Sequence, residues 1–140
     1  MNRNVLLTVS SLLSILLGTI HLADDIVYGY EPGGLNNLIM GGLLSIIWLY
    51  ATLVLAGRLP GYIIILLFSL LGMFVPYVHM SGKGVGEASR LANTSGHLFF
   101  VWTLFALGIT CAFSVILCVH GLWDALRARK RGSDRGTDFS

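Results

Sequence analysis

Three titratable side chains follow one another at the end of the first apolar stretch of this 140-residue chain. His21, Asp24 and Asp25 stand at positions i, i+3 and i+4, so on a helix they share one face, with Cβ atoms about 5–6 Å apart. Two more histidines, His79 and His97, stand where later apolar stretches end or begin. If these residues converge, they form a single cluster of imidazoles and carboxylates that could do chemistry.

Such a cluster suits a divalent transition metal such as zinc or copper(II), because imidazole nitrogen binds both metals and carboxylate oxygen is tolerated. It also suits proton relay, since an unperturbed histidine changes charge near pH 6.5. Haem held between two histidines is a third alternative, as helical bundles place such ligands on facing helices. The fourth is that these side chains simply meet water at helix ends. The candidate metal ligands are His21, Asp24, Asp25, His79 and His97.

The elements that must position these residues are four apolar blocks. The chain is 55% hydrophobic and only 11% charged, against about 25% charged in soluble domains. Each block approaches or exceeds the roughly 20 residues that cross a bilayer, and spanning segments of this number must be helices to satisfy their backbone groups. We predict an all-α, integral membrane, up-down four-helix bundle. Its spans are Val5–Ala23, Leu38–Ala56, Gly61–Val78 and His97–Trp123.

The basic residues are distributed unequally between the two sides of such a bundle. Seven of the nine lysines and arginines precede the first block, separate the second from the third, or follow the fourth. The positive-inside rule therefore predicts cytoplasmic termini in a bacterial-type plasma membrane, with the histidines facing outward. The residues expected to contact anionic lipid are Arg127, Arg129, Lys130 and Arg131. Residues 127–140 are predicted to form a disordered tail after a transmembrane domain of residues 1–126. Nucleic acid is a poorer partner, because the basic run is short and adjoins a membrane anchor.

Small residues recur at helical spacing along the blocks that carry histidines. Ser11, Ser14 and Gly18 lead to His21 in steps of three or four. Ser69, Gly72 and Pro76 lead to His79 in the same way, while Gly108, Cys111 and Cys118 lie on the stripe that begins at His97. Small residues let helices approach closely in lipid. We therefore expect these stripes to face the bundle interior and to bring the histidines together.

Two alternatives concern processing and redox state. Residues 1–23 have the charged start and apolar middle of a signal peptide, but cleavage after Ala23 would place His21 where a small residue is required, so an uncleaved span is favoured. Cys111 and Cys118 lie seven residues apart, about 10.5 Å along a helix, which is too far for a disulfide. Both are expected to be packing residues.

No serine–histidine–acid triad, activated cysteine pair or phosphate loop is discernible in the sequence, which argues against an enzyme. The centres of the blocks carry no acidic or basic residue, which argues against a transporter of charged substrates acting alone. The leading hypothesis is a non-enzymatic membrane protein, either an accessory subunit of a larger membrane complex or a homo-oligomer. The alternative is an outward-facing metal- or proton-binding site that serves redox chemistry or transport.

Overall fold

The computed structural model of the chain contains helices and the turns between them. It describes residues 2–27, 35–81 and 96–136, and the side chains of these residues except at 80–81, 96–97 and 132–136. The helices are α1 (Arg3–Val27), α2 (Leu35–Leu53), α3 (Leu59–Ser81) and α4 (Gly96–Gly136). The predicted all-α class is confirmed for the residues that the structure describes.

All four helices are long and apolar enough to cross a membrane, as predicted. The candidate spans within them are Arg3–Val27, Leu35–Leu53, Leu59–His79 and Leu98–Arg131, with mean hydropathies between 1.4 and 2.2. Large apolar side chains are exposed along every helix, and α2 buries only Trp48, Ala51 and Thr52. A soluble protein rarely exposes so much contiguous apolar surface, whereas lipid solvates it.

The α2–α3 connection begins earlier than the hydropathy pattern indicates. The predicted second span runs to Ala56, but α2 ends at Leu53 and residues 54–58 form a turn. Gly57 adopts a φ of 74°, a conformation that side chains with a Cβ rarely take, and the Arg58 amide donates a hydrogen bond of 3.0 Å to the Leu55 carbonyl. The turn chemistry therefore ends α2 before the apolar run is exhausted.

Helices α1 and α4 contact each other along most of their length. At one end, Arg3 Nη1 lies 2.6 Å from Asp124 Oδ2. Further along, the Ser10 hydroxyl lies 2.7 Å from the Ser114 hydroxyl and also donates to the carbonyl oxygen of Thr110. These hydrogen bonds between helices are satisfied without water, as a lipid environment requires.

Helices α2 and α3 also contact α1, although α3 packs chiefly against α4. The Ser11 hydroxyl lies 2.7 Å from the Thr52 hydroxyl of α2, and the Tyr62 hydroxyl of α3 donates to Asn4 Oδ1 at 2.8 Å. Trp48 stacks on Phe68, with ring centroids 5.5 Å apart, which joins α2 to α3.

The predicted small-residue stripes face the interior. Ser11 and Ser14 are fully buried, as is Ser69 on α3. Cys111 and Cys118 are buried and unbridged, which confirms their interpretation as packing residues. Gly108 lies against Pro76, since a Cβ at Gly108 would come within 2.8 Å of the proline ring. This absence of a side chain lets α3 and α4 approach closely beneath His79.

Helix α4 continues well past the predicted span end at Trp123. Its 41 residues correspond to about 60 Å of helix, twice the hydrocarbon thickness of a bilayer. The backbone is helical to Gly136, within the segment predicted to be a disordered tail, and residues 137–140 lie outside the described residues. The arginines and lysine of this segment are good helix formers, so helix α4 has no sequence signal that would end it at residue 126.

Candidate metal centre

Three of the predicted ligands meet between α1 and α3: His21, Asp25 and His79. We call them the His/Asp cluster. His21 and Asp25 are one helical turn apart on α1, and both turn toward α3 because α1 remains helical to Val27. His79 lies in the last turns of α3, seven residues after the buried Gly72. The cluster therefore joins one end of α1 to one end of α3.

The facing atoms of the cluster form a nearly equilateral triangle. His21 Nε2 and His79 Nε2 are 3.4 Å apart. Asp25 Oδ2 lies 3.5 Å from His21 Nε2 and 3.7 Å from His79 Nε2. All three contacts are longer than the usual 2.7–3.2 Å of a hydrogen bond involving N–H. The three lone-pair donors thus surround a common point without binding one another tightly.

The cluster is sheltered from solvent even though it lies at helix ends. His21 is 5% exposed, Asp25 is 4% exposed, and the His79 side chain is 13% exposed. Neither Asp25 Oδ1 nor His21 Nδ1 has a hydrogen-bond partner among the described residues. A buried carboxylate is costly unless a positive group or hydrogen-bond donors compensate it. Among the described residues, the imidazoles of His21 and His79 lie close enough to Asp25 Oδ2 to compensate its charge if they are protonated.

One ring nitrogen of His79 is fixed by the backbone. His79 Nδ1 lies 3.0 Å from the Val75 carbonyl oxygen. Because a carbonyl only accepts, Nδ1 carries the hydrogen, and in the neutral ring the lone pair is then on Nε2, which faces the cluster. Hydrogen bonds of this kind orient histidine ligands in metal sites.

Phe100 of α4 packs against both imidazoles. Its ring centroid lies 5.1 Å from that of His21 and 6.2 Å from that of His79, and Phe100 is 1% exposed. The two imidazoles meet edge to face, with centroids 4.7 Å apart. The phenyl ring therefore closes the α4 side of the cluster and restricts how the imidazoles can turn.

The other two predicted ligands, Asp24 and His97, are not among the three residues whose described side chains converge. Asp24 is half-buried and does not belong to the group of converging donors found among the described residues. The side chain of His97 lies outside the described side chains, so its membership stays a prediction. His120, the remaining histidine, is exposed far along α4.

The predicted membrane-surface residues are all exposed on the extension of α4: Arg127, Arg129, Lys130 and Arg131. The guanidinium carbon of Arg127 lies 4.6 Å from the centroid of the Trp123 ring, a cation–π contact. Their contact with anionic lipid stays a prediction.

Sequence reasoning did not single out Phe100. Its only signal is its position three residues after His97, which puts it on nearly the same face of α4. An apolar residue on an apolar helix gives no chemical reason to be chosen.

Comparison of the chain with protein-family models, curated proteins and solved structures finds no match.

Proposed function

We propose that this membrane protein binds one divalent transition-metal ion at the His/Asp cluster. The observation that carries the proposal is the triangle of two imidazole nitrogens and a carboxylate oxygen, with sides of 3.4, 3.5 and 3.7 Å. An ion about 0.5 Å out of the plane of these three atoms is about 2.1 Å from each, which matches the roughly 2.0–2.2 Å bonds of zinc to histidine and carboxylate. An ion there would compensate the buried charge of Asp25.

A proton relay accounts less well for this arrangement. A protonated imidazole that bonded the carboxylate would approach to about 2.7–2.9 Å, the length of a charge-assisted hydrogen bond. Both histidines instead stand 3.5 Å or more from Asp25 Oδ2. The separations are those of ligands around an ion rather than of a proton donor and its acceptor.

Haem also fits poorly. Two axial histidines must lie on opposite faces of the macrocycle, which then occupies the plane between them. Here the Asp25 carboxylate is within 3.7 Å of both ring nitrogens, and Phe100 packs against both rings. A single ion is therefore the better occupant.

The proposal includes a topology: an up-down bundle in a bacterial-type plasma membrane, with both termini cytoplasmic and the His/Asp cluster facing outward. Arg3 pairs with Asp124, and Asn4 with Tyr62, at the end remote from the cluster. The basic residues of the α2–α3 turn and of the α4 extension belong to that same end in an up-down arrangement. The positive-inside rule assigns it to the cytoplasm.

Reporter fusions test the topology. Green fluorescent protein fused after Ser140 should fluoresce, because it folds in the cytoplasm, and alkaline phosphatase at the same position should be inactive. Active phosphatase at the C-terminus would reverse the proposed orientation.

Metal titration of the purified full-length chain tests the site. The affinity tag must carry no histidines. Zinc binding, measured by competition with a chromophoric chelator, should saturate at about one ion per chain. Asp25→Asn and His79→Gln, which keep the shape of the side chains approximately, should each weaken binding by about a hundredfold or more, since each removes a direct ligand.

Two matched controls are available. Asp24→Asn removes the neighbouring carboxylate, and His120→Gln removes an exposed histidine on α4. Both variants should bind zinc like the parent protein. Absence of zinc binding by the folded parent, or equal binding by Asp25→Asn, would overturn the proposal and return preference to the accessory or homo-oligomeric role.

A further inference from the structure

We infer that the His/Asp cluster selects a metal that accepts wide ligand angles, as zinc does in tetrahedral sites, and disfavours metals that require ligands at right angles. The inference rests on the proposed function and adds the class of metal. It depends on the shape of the donor triangle rather than on the identity of the donors, because the same residue types also build other metal sites.

Two histidines and one carboxylate are also the ligands of non-haem iron(II) oxygenases, where they occupy one face of an octahedron. Ligands at 90° around an ion with bonds of about 2.1 Å are separated by about 3.0 Å, whereas tetrahedral ligands are separated by about 3.4 Å. The three separations in the cluster are 3.4, 3.5 and 3.7 Å. Each of these separations exceeds the roughly 3.0 Å of octahedral ligands by 0.4 Å or more, and the shortest equals the roughly 3.4 Å of tetrahedral ligands.

The surroundings oppose a contraction toward the octahedral spacing. His79 is held by its hydrogen bond to the Val75 carbonyl, and Phe100 packs against both imidazoles. His21 and Asp25 belong to the same helical turn, so the backbone of α1 fixes the positions of their Cβ atoms. To shorten the two sides that end at His79, α3 would have to move toward α1, or the His79 ring would have to leave its hydrogen bond to Val75.

Cobalt(II) is the probe, because it substitutes for zinc and reports its own geometry. Tetrahedral cobalt(II) absorbs visible light strongly, whereas octahedral cobalt(II) absorbs weakly. The purified full-length chain, titrated with cobalt(II), should develop the strong absorption, and zinc should abolish it at about one equivalent. About a hundredfold excess of manganese(II) or magnesium(II), which favour octahedral oxygen sites, should leave it unchanged.

Variants show where the signal arises. His79→Gln should lose the strong absorption, and Asp24→Asn should keep it. Cobalt that binds with only the weak octahedral spectrum, or that manganese displaces, would overturn this inference while the proposed metal site remains. Absence of cobalt and zinc binding by the folded parent, or strong absorption that persists in both His79→Gln and Asp25→Asn, would overturn the metal site itself.

Discussion

A packing contact two helical turns below His79 offers a quantitative test of how the bundle holds the cluster. Gly72 of α3 faces Cys111 of α4, and a Cβ at Gly72 would lie 2.6 Å from the Cys111 sulfur. Ordinary contact between such atoms begins near 3.5 Å, so the substitution Gly72→Ala requires a separation of about 1 Å. Cys111 is fully buried and cannot swing into solvent.

The expected magnitude follows from two opposing effects. Overpacking a close-packed interior costs about 1–3 kcal/mol. Replacing glycine by alanine within a helix stabilises the helix by roughly 0.5–1 kcal/mol. We therefore expect Gly72→Ala to lower the free energy of unfolding by about 1–2 kcal/mol. Cys111→Ala should cost about 1 kcal/mol, because it removes a buried sulfur and leaves a small space.

The double variant decides whether the contact is the cause. In the double variant, which combines Gly72→Ala with Cys111→Ala, the new methyl group occupies the space that the sulfur leaves. The free energy of unfolding should therefore fall by about 1 kcal/mol or less, rather than by the sum of the two single losses. A favourable coupling of about 1–2 kcal/mol is expected. Zinc affinity should fall in Gly72→Ala and recover in the double variant, because a shift of α3 displaces His79 relative to His21.

Unfolding by a denaturing detergent, followed by circular dichroism, measures these differences. Gly42→Ala is the matched control, since a Cβ at Gly42 meets nothing within 4 Å and the variant should be neutral or slightly more stable. Additive losses in the double variant, or a Gly72→Ala protein as stable as the control, would refute the packing argument.

Three further predictions concern single side chains and use the same unfolding measurement. Ser69→Ala should leave stability unchanged or raise it, because the buried Ser69 hydroxyl has no hydrogen-bond partner among the described residues. Ser10→Ala should lower stability by about 1 kcal/mol, because it removes two interhelical hydrogen bonds; equal losses would contradict this. Arg3→Ala should change stability by less than about 1 kcal/mol, because both side chains of its ion pair are well exposed, Arg3 to 39% and Asp124 to 56%. A loss of several kcal/mol would show that the pair is shielded from solvent. Gly57→Ala should cost about 1 kcal/mol because the residue has a φ of 74°, and an unchanged midpoint would mean that the turn relaxes.

Much of the fold could be predicted because lipid leaves few choices. A block of about 20 apolar residues must be a helix, and small residues on one face indicate which side meets another helix. Ser11 and Ser14 lie in the interior for that reason. Hydropathy could not locate the helix ends, since it registers the solvent around a side chain rather than the hydrogen bonds of the backbone. Helix α1 therefore includes Asp24 and Asp25, and α2 stops at Leu53 within an apolar run.

The candidate site was predictable in its residue types but not in its membership. From sequence, Asp24 and Asp25 are equivalent, because both lie within one turn of His21. They separate only when the rotation of α1 against α3 is known, and then Asp25 is buried while Asp24 is half-buried. The rotation of α1 within the bundle is constrained by contacts such as those of Ser11 with Thr52 of α2 and of Ser14 with Thr110 of α4, which involve two helices at once. Phe100 could not be predicted either, because its role depends on contacts with imidazoles of two other helices.

The position of the cluster near helix ends follows from the energetics of a carboxylate in a membrane. At the bilayer centre an aspartate costs several kcal/mol and an ion would have to cross hydrocarbon to reach it. In the proposed topology the last turns of α1 and α3 lie near the interface, while His21 and Asp25 are buried in the bundle. The imidazoles can come within 3.4 Å of each other only if the helices beneath them approach closely. The small residues of the interior, such as Gly72 and Gly108, allow helices beneath the cluster to approach closely, although they do not belong to the cluster itself.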